Sequence, residues 1–194
     1  MAVELVYETH ATTVDNEAGY ATGWRGAELS ERGRVEAAEL GERRRDDNLS
    51  AVFCSDLTQA VQTVAIAFEG VRIPVYIDVR LRECDYGDWT GMPVARRDVQ
   101  RPRRIREPFP GGESYLDVVV RMGEFLVDLA RDWEGRRVLV VGHAATRFAL
   151  AHLLGGERLE DVVAAPGEWR PGWRYVLPSG WSPDPGYRGA RSAA

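Results

Sequence analysis

Arg137-Val138-Leu139-Val140-Val141-Gly142 is a short apolar run, rich in β-branched residues, that ends on a glycine with His143 immediately beyond it. A continuous apolar run of this length, with no polar alternation, is the pattern of a strand covered on both faces, at the centre of a parallel sheet. Two other segments share the pattern. Val3 to Tyr7 leads into Glu8-Thr9-His10, and Ala51 to Cys54 leads into Ser55-Asp56. Pro74 to Ile77 reads as a third, shorter run, and Trp173 to Leu177 as an edge strand. Between them lie helical patterns. One opens at Ser30, a good N-cap with Glu31 in the first turn, and runs through Val35, Ala38 and Leu40 to Arg43-Arg44-Arg45. A second spans Leu57 to Phe68, with Ser55 and Asp56 as candidate caps. A third runs from Ser114 or Tyr115 to Trp133 with Val118, Met122, Phe125, Leu126 and Leu129 on one face, and a fourth covers Ala144 to Leu154.

Strand and helix therefore alternate, which predicts an α/β fold: a three-layer α/β/α sandwich around a mainly parallel sheet. Right-handed crossovers place His10, Ser55 and His143 along one edge of that sheet, at the carboxyl ends of the strands, where open α/β sheets carry their chemistry. The expected organisation is one domain over residues 1–177. Within it an arginine- and proline-rich segment, 92–112, reads as an exposed cap or lid, and residues 178–194 read as a poorly ordered tail. Residues 16–27, with three glycines, read as loop.

Composition bounds the function. Hydrophobic residues at 44% and charged residues at 28% describe an ordinary globular chain, and a net charge of −5 gives no footprint for nucleic acid or for anionic lipid. No apolar run approaches the roughly 20 residues of a membrane span, and no basic segment followed by an apolar one marks a secretory leader. Two cysteines without ligand spacing predict a reducing, cytoplasmic setting and no disulfide. The three histidines are isolated in sequence, so no metal site or cofactor is expected. Cys84 and His152 read as packing and structural residues, and the Trp169 and Trp173 pair as pocket mouth, core or interface packing. The Arg43 to Arg45 run reads as a solvated helix end.

Two imidazoles at strand ends and a carboxylate within reach, Glu83, suit covalent group transfer. One ring attacks, the other donates to developing charge, and the acid protonates the leaving oxygen.

Six ordered segments sharpen this: Thr9-His10-Ala11-Thr12-Thr13 with Asn16, Leu29-Ser30-Glu31-Arg32-Gly33, Ser55-Asp56-Leu57-Thr58-Gln59-Ala60-Val61-Gln62-Thr63, Leu81-Arg82-Glu83 through Gly91, Pro110-Gly111-Gly112-Glu113-Ser114, and Val140-Val141-Gly142-His143-Ala144. From about Val3 to Leu154 the chain resembles the histidine phosphatase superfamily, the group of cofactor-dependent phosphoglycerate mutases and small-molecule phosphatases. The resemblance implies that His10 is the phosphorylated nucleophile, that Glu83 is the proton donor and that His143 bonds the transferring phosphoryl group. It also implies that Thr13, Asn16 and the backbone around Ala11 and Ala144 help to cradle oxygens.

Two positions depart from the family pattern. Thr9 and Gln59 stand where the family carries arginines that clamp the phosphate. Phosphoryl transfer depends on positioning and on stabilising charge spread over three oxygens, so the departure bears directly on rate. Arg147, one turn past His143, is a candidate replacement cation, as are Arg25 and the arginines between Arg96 and Arg106. The expected activity is hydrolysis of a small phosphomonoester, a phosphorylated metabolite, in preference to mutase action, which needs a pocket richer in cations. The competing expectation is a weakly active or inactive relative that serves as a binding protein or takes a less charged substrate. A homodimer is left open.

Overall fold

The structure is a computed structural model that describes residues 1–165 and 171–184. Its elements in chain order are β1 (Val3–Thr9), α1 (Val14–Glu17), β2 (Tyr20–Ala21), α2 (Glu31–Arg44), β3 (Ala51–Cys54), α3 (Thr58–Ala67), β4 (Val75–Ile77), β5 (Met92–Pro93), α4 (Val94–Gln100), α5 (Tyr115–Asp132), β6 (Arg137–Gly142), α6 (Ala144–Leu153), α7 (Leu159–Ala164) and β7 (Trp173–Leu177). The main sheet has the order β4-β3-β6-β1-β7. Its first four strands are parallel, and β7 joins β1 antiparallel. β6, the uninterrupted apolar run, lies at the centre.

The two faces follow from strand alternation. Leu5, Tyr7, Phe53, Val138 and Val140 pack with α5, α6 and α7 into the larger core. Val6, Val52, Cys54, Leu139 and Val141 pack beneath Leu40 of α2 and Ala60 and Val64 of α3 on the other face. The three inner strands β1, β3 and β6 are thus buried on both sides, as the centre of a parallel sheet requires. α2 starts where Ser30 accepts the Gly33 amide. Gly33 is demanded by packing, because a Cβ there would lie 1.9 Å from the Thr12 carbonyl oxygen, in the loop that follows His10.

Several expectations are corrected. Residues 16–27 are not all loop: the chain forms α1 and then β2, which pairs with β5. Ser55 and Asp56 do not cap α3, which begins at Leu57 without a side-chain cap; both side chains are committed elsewhere. Segment 92–112, read as an exposed cap or lid, is exposed over much of its length but is structured and anchored in the core. It forms β5, α4 and a 3-10 turn at Arg103–Ile105, and it buries Arg101, Arg104, Ile105 and Phe109. Arg101 and Arg104 turn inward because aromatic faces receive them, Arg104 over Trp89 and Phe109, and Arg101 over Phe148, whereas Arg103 and Arg106 stay exposed. Within the tail, Trp181 packs against the main core and Ser179 bonds to Glu134, while most of residues 178–184 are exposed; residues 185–194 lie outside the described residues. α7 has no counterpart in the sequence reading.

No helix among the described residues is long and apolar enough to cross a membrane. Both cysteines are free and buried, and burial pushes the Cys54 thiol up to about 11.

Candidate active site

The site is assembled by strand register. Thr9, the last residue of β1, pairs with Gly142, the last of β6, and Cys54, the last of β3, pairs with Val141. Three neighbouring strands therefore end at nearly the same level, and the residues that follow them meet. The His10 amide donates to the Gly142 carbonyl at 2.9 Å. The His10 and His143 rings lie 4.9 Å apart, tilted by 54°. Ser55 Oγ is 2.7 Å from His143 Nε2.

Each ring is oriented by its neighbours. His10 Nδ1 is 2.8 Å from the Ala11 carbonyl oxygen. A carbonyl only accepts, so Nδ1 carries the proton and Nε2 keeps its lone pair. The Ala11 amide is fixed in turn by Thr63 Oγ1 at 3.0 Å. His143 is fully buried, and its Nδ1 has no hydrogen-bond partner among the described residues. Its backbone is anchored more firmly than its ring. The amide donates to Thr146 Oγ1, while the carbonyl accepts from the Tyr7 hydroxyl at 2.6 Å and from Thr146. Gly142 is small because a Cβ there would lie 2.6 Å from Thr146 Oγ1 and 2.7 Å from the Tyr7 hydroxyl.

Burial holds the His10 imidazole below its usual range, although the Ala11 carbonyl and the Glu83 and Glu36 carboxylates pull the other way. Burial holds His143 well below its usual range, and the neighbouring His10 and Arg121 add to the effect. Both rings are thus neutral at neutral pH, which leaves His10 Nε2 free to attack.

Glu83 reaches the same place from the other side of the sheet edge. Its carboxylate accepts from Cys84 at 2.7 Å, from Ala144 at 3.1 Å and from Ala145 at 3.2 Å, and so lies on the N-terminus of α6, the helix that follows His143. A helix N-terminus stabilises a negative charge through its free amides and its dipole. The Glu83 backbone carbonyl accepts from Trp24 Nε1 at 2.7 Å and from Arg121 Nη2 at 2.9 Å.

The structure thus brings together His10, Glu83 and His143. The remaining candidates are placed as follows. The Ala11 and Ala144 amides are used internally, by Thr63 and Glu83. Thr13 and Asn16 form the capping box of α1, which accounts for both residues within the chain. Gln59 is buried, with Oε1 accepting from the Ala27 amide at 3.2 Å, and Thr9 is partly exposed beside His10. Arg147 packs between Phe148 and Trp173, on the β7 side of the site. Arg25 pairs with Asp15. Trp173 is buried beside Tyr7, whereas Trp169 lies outside the described residues. His152 bonds the Glu157 carbonyl, a structural role.

Sequence reasoning did not single out Tyr7, Thr63, Thr146, Trp24 or Arg121. Tyr7 and Thr63 carried a weak signal as polar-headed residues inside apolar patterns. Trp24 and Arg121 carried none, because their roles depend on contacts 59 and 38 residues away in sequence.

The sequence model of the histidine phosphatase superfamily (branch 1) matches residues 9–165. The chain belongs to that superfamily. Among its relatives, the 2,3-bisphosphoglycerate-dependent phosphoglycerate mutase of a Methylobacterium species is 32% identical over 81% of this chain and 83% of that enzyme. The glucosyl-3-phosphoglycerate phosphatase of Mycobacterium tuberculosis is 32% identical over 88% of each chain. Among solved structures, Bacillus stearothermophilus YhfR superposes with a TM-score of 0.78 at 29% identity, over 88% of each chain. The native mycobacterial phosphatase structure gives 0.73 at 29% identity, over 84% of each. The superfamily supports a phosphatase-type activity in general, and it fits the pair of neutral imidazoles and the carboxylate at this sheet edge.

Proposed function

We propose that this histidine phosphatase relative hydrolyses a small phosphomonoester through a phosphohistidine at His10. The observation that carries the reading is the pairing of two nitrogens: His10 Nε2, left with a lone pair, and the buried His143 Nδ1, which has no hydrogen-bond partner among the described residues. A buried polar atom without a partner calls for an explanation, and a substrate phosphoryl oxygen supplies one.

In the first step His10 Nε2 attacks phosphorus and the bond to the ester oxygen breaks. Glu83, as the acid, gives that oxygen its proton. In the second step Glu83 accepts a proton from water, the oxygen attacks phosphorus, the P–N bond breaks and phosphate leaves. His143 donates to an equatorial oxygen throughout. In this reading Thr9 and Gln59 replace charged clamps with neutral donors, and Arg147 supplies positive charge from the β7 side. A pocket poorer in cations favours hydrolysis over mutase action, which must hold two phosphate positions. The setting is cytoplasmic, consistent with two free, buried cysteines.

The test is a steady-state screen of phosphomonoesters, starting with the substrates that name two relatives, glucosyl-3-phosphoglycerate and phosphoserine, with wild type beside His10→Ala. The expected result is turnover lost by at least about 10³-fold in the variant, with an acid-labile phosphoryl group trapped on wild type only. Equal rates in the two proteins across the screen would refute the enzymatic reading and favour a non-catalytic binding role.

A further inference from the structure

Arg121, on α5, holds the loop that carries the acid. Its guanidinium donates from Nη2 to the Glu83 carbonyl at 2.9 Å and from Nη1 to the Arg80 carbonyl, so it grips both ends of the turn that delivers Glu83. Glu113 holds the guanidinium in place, taking Nε at 2.9 Å and Nη2 at 3.1 Å. Glu113 in turn accepts from the Asp85 amide at 3.0 Å, just beyond the acid. The pair is largely buried, with side chains 13% and 18% exposed. Among the described residues these hydrogen bonds serve the loop and Glu113, and none goes to His10, His143 or the Glu83 carboxylate.

The Glu83 carbonyl belongs to the peptide unit whose N–H is that of Cys84. That N–H donates to Glu83 Oε1 at 2.7 Å. A peptide unit is planar, so its C=O and N–H turn together. Donors that fix the oxygen, Arg121 Nη2 and Trp24 Nε1, therefore aim the N–H, and the N–H sets where the carboxyl group lies. Oε1 also accepts from Ala145 at 3.2 Å, which fills both of its lone pairs. Among the described residues Oε2 accepts from Ala144 alone, at 3.1 Å. Oε2 thus keeps a free lone pair for a transferable proton.

We propose that Arg121, assisted by Trp24, is a positioning residue for the proton donor: it fixes the Glu83–Cys84 peptide plane and so presents Oε2 to the leaving oxygen. The proposal rests on the reading of Glu83 as the acid. Arginine suits the task because its planar fork spans two carbonyls and a carboxylate in one fixed geometry, which a lysine ammonium does not reproduce. General acid catalysis needs the donor within about 2.6–3.2 Å of the oxygen it protonates, and a misplacement of about 1 Å can cost 10²-fold. The penalty falls on esters whose alcohol needs a proton in order to leave.

The test compares kcat/KM for 4-nitrophenyl phosphate, phenyl phosphate and an alkyl phosphate in wild type, Glu83→Gln and Arg121→Met. 4-Nitrophenolate departs without a proton, whereas an alkoxide does not. Departure of the alcohol precedes hydrolysis of the phosphohistidine, so the second step does not enter kcat/KM. Glu83→Gln sets the scale, with a loss that grows from the nitrophenyl to the alkyl ester to about 10²–10⁴-fold. Arg121→Met is expected to follow the same gradient, losing about 10²-fold on the alkyl ester and under about 5-fold on the nitrophenyl ester. A purely structural role would lower all three by one factor. A uniform loss or none in Arg121→Met, beside a graded loss in Glu83→Gln, overturns the positioning proposal alone. An ungraded Glu83→Gln, or a wild type inactive on every ester, overturns the reading of Glu83 and the proposal with it. Should Arg121→Met fail to fold, Arg121→Lys and Trp24→Phe decide. The first keeps the charge beside Glu113, and the second removes one N–H and keeps an aromatic ring. Both are expected to show the gradient at smaller amplitude, and its absence from both overturns the proposal.

Discussion

Ser55→Ala removes one oxygen atom and tests the assignment of protons at the site. Ser55 Oγ and the His143 ring are both fully buried, and Oγ lies 2.7 Å from His143 Nε2. The Leu57 amide reaches the same oxygen only weakly, at 3.4 Å. Ser55 is thus free to donate its hydroxyl proton to Nε2, which makes Nε2 the acceptor and leaves the ring proton on Nδ1. Nδ1 is the nitrogen without a partner among the described residues, and this tautomer turns it into a neutral donor aimed at a phosphoryl oxygen. Alanine leaves His143 with both ring nitrogens unsatisfied. An orphaned buried polar atom costs about 1–3 kcal/mol, so urea unfolding should show a loss of that size at pH 7.5. The tautomer is then no longer fixed, and loss of one preorganised donor costs about 10²–10³ in kcat. The expected pattern is therefore a fall in kcat with KM nearly unchanged, because the lost interaction strengthens as charge develops. Ser55→Thr, which keeps the hydroxyl, should recover most of the rate. A Ser55→Ala enzyme with wild-type kcat, or one rescued no better by threonine than by valine, would refute the tautomer argument.

Gly142→Ala forces a methyl group toward Thr146 Oγ1 and the Tyr7 hydroxyl, at 2.6 and 2.7 Å; an overpacking cost of about 1–3 kcal/mol, read by urea midpoint, should appear with a drop in activity, since those hydroxyls hold the His143 carbonyl. Arg44 bonds the buried Glu8 through Nε at 2.9 Å and Nη2 at 2.6 Å, and also holds the Pro171 carbonyl. Arg44→Met should cost about 3–5 kcal/mol by leaving the buried Glu8 carboxylate with only the longer Arg43 contact at 3.5 Å, whereas Glu8→Leu with Arg44→Met should recover most of it; a single variant as stable as the double would contradict the buried-pair account. For pH, His143 is held well below its ordinary value in the fold, so below about pH 6.5 the unfolded chain binds the extra proton. Stability should fall there by up to about 1.4 kcal/mol per pH unit from this group, and His143→Gln should flatten that slope; an unchanged slope would show that the acid sensitivity lies elsewhere.

The fold was legible because its signal is local. Val138 to Val141 is apolar without interruption, and a chain segment with no polar face has to be covered on both sides. Ser30 and Ser114 announce helices by side-chain oxygens that bond amides three residues away. His10 and His143 were legible for a related reason, as each directly follows a run whose strand identity was plain. What escaped was everything decided across the chain. Ser55 reads as a cap and serves instead as a partner for a ring 88 residues away. Arg101 and Arg104 read as solvated charges, yet rings supplied by Phe109, Trp89 and Phe148 draw them inside. α1 and β2 were hidden because their four and two residues are too short to show a period.

The supports of the reacting groups bear on the question that Thr9 and Gln59 raise. His10 is oriented by the Ala11 carbonyl, and Ala11 by Thr63. His143 is fixed by Ser55, Tyr7 and Thr146, and Glu83 by the amides of Cys84, Ala144 and Ala145. Neither the Thr9 nor the Gln59 side chain takes part in these contacts. On the proposed reading, replacing arginines at those two positions subtracts charge from the pocket without disorganising the nucleophile, the acid or the second imidazole. Charge and geometry then have separable consequences. Arg147→Gln, which removes the charge together with its contacts to the Phe148 and Trp173 rings, should act on the affinity for a dianionic substrate and leave turnover dependent on His10. Ser55→Ala, which alters geometry alone, should act on kcat. A site in which both variants lowered kcat and KM by the same factors would not have this division, and its arginine-free clamp would have to be understood as part of the catalytic scaffold itself.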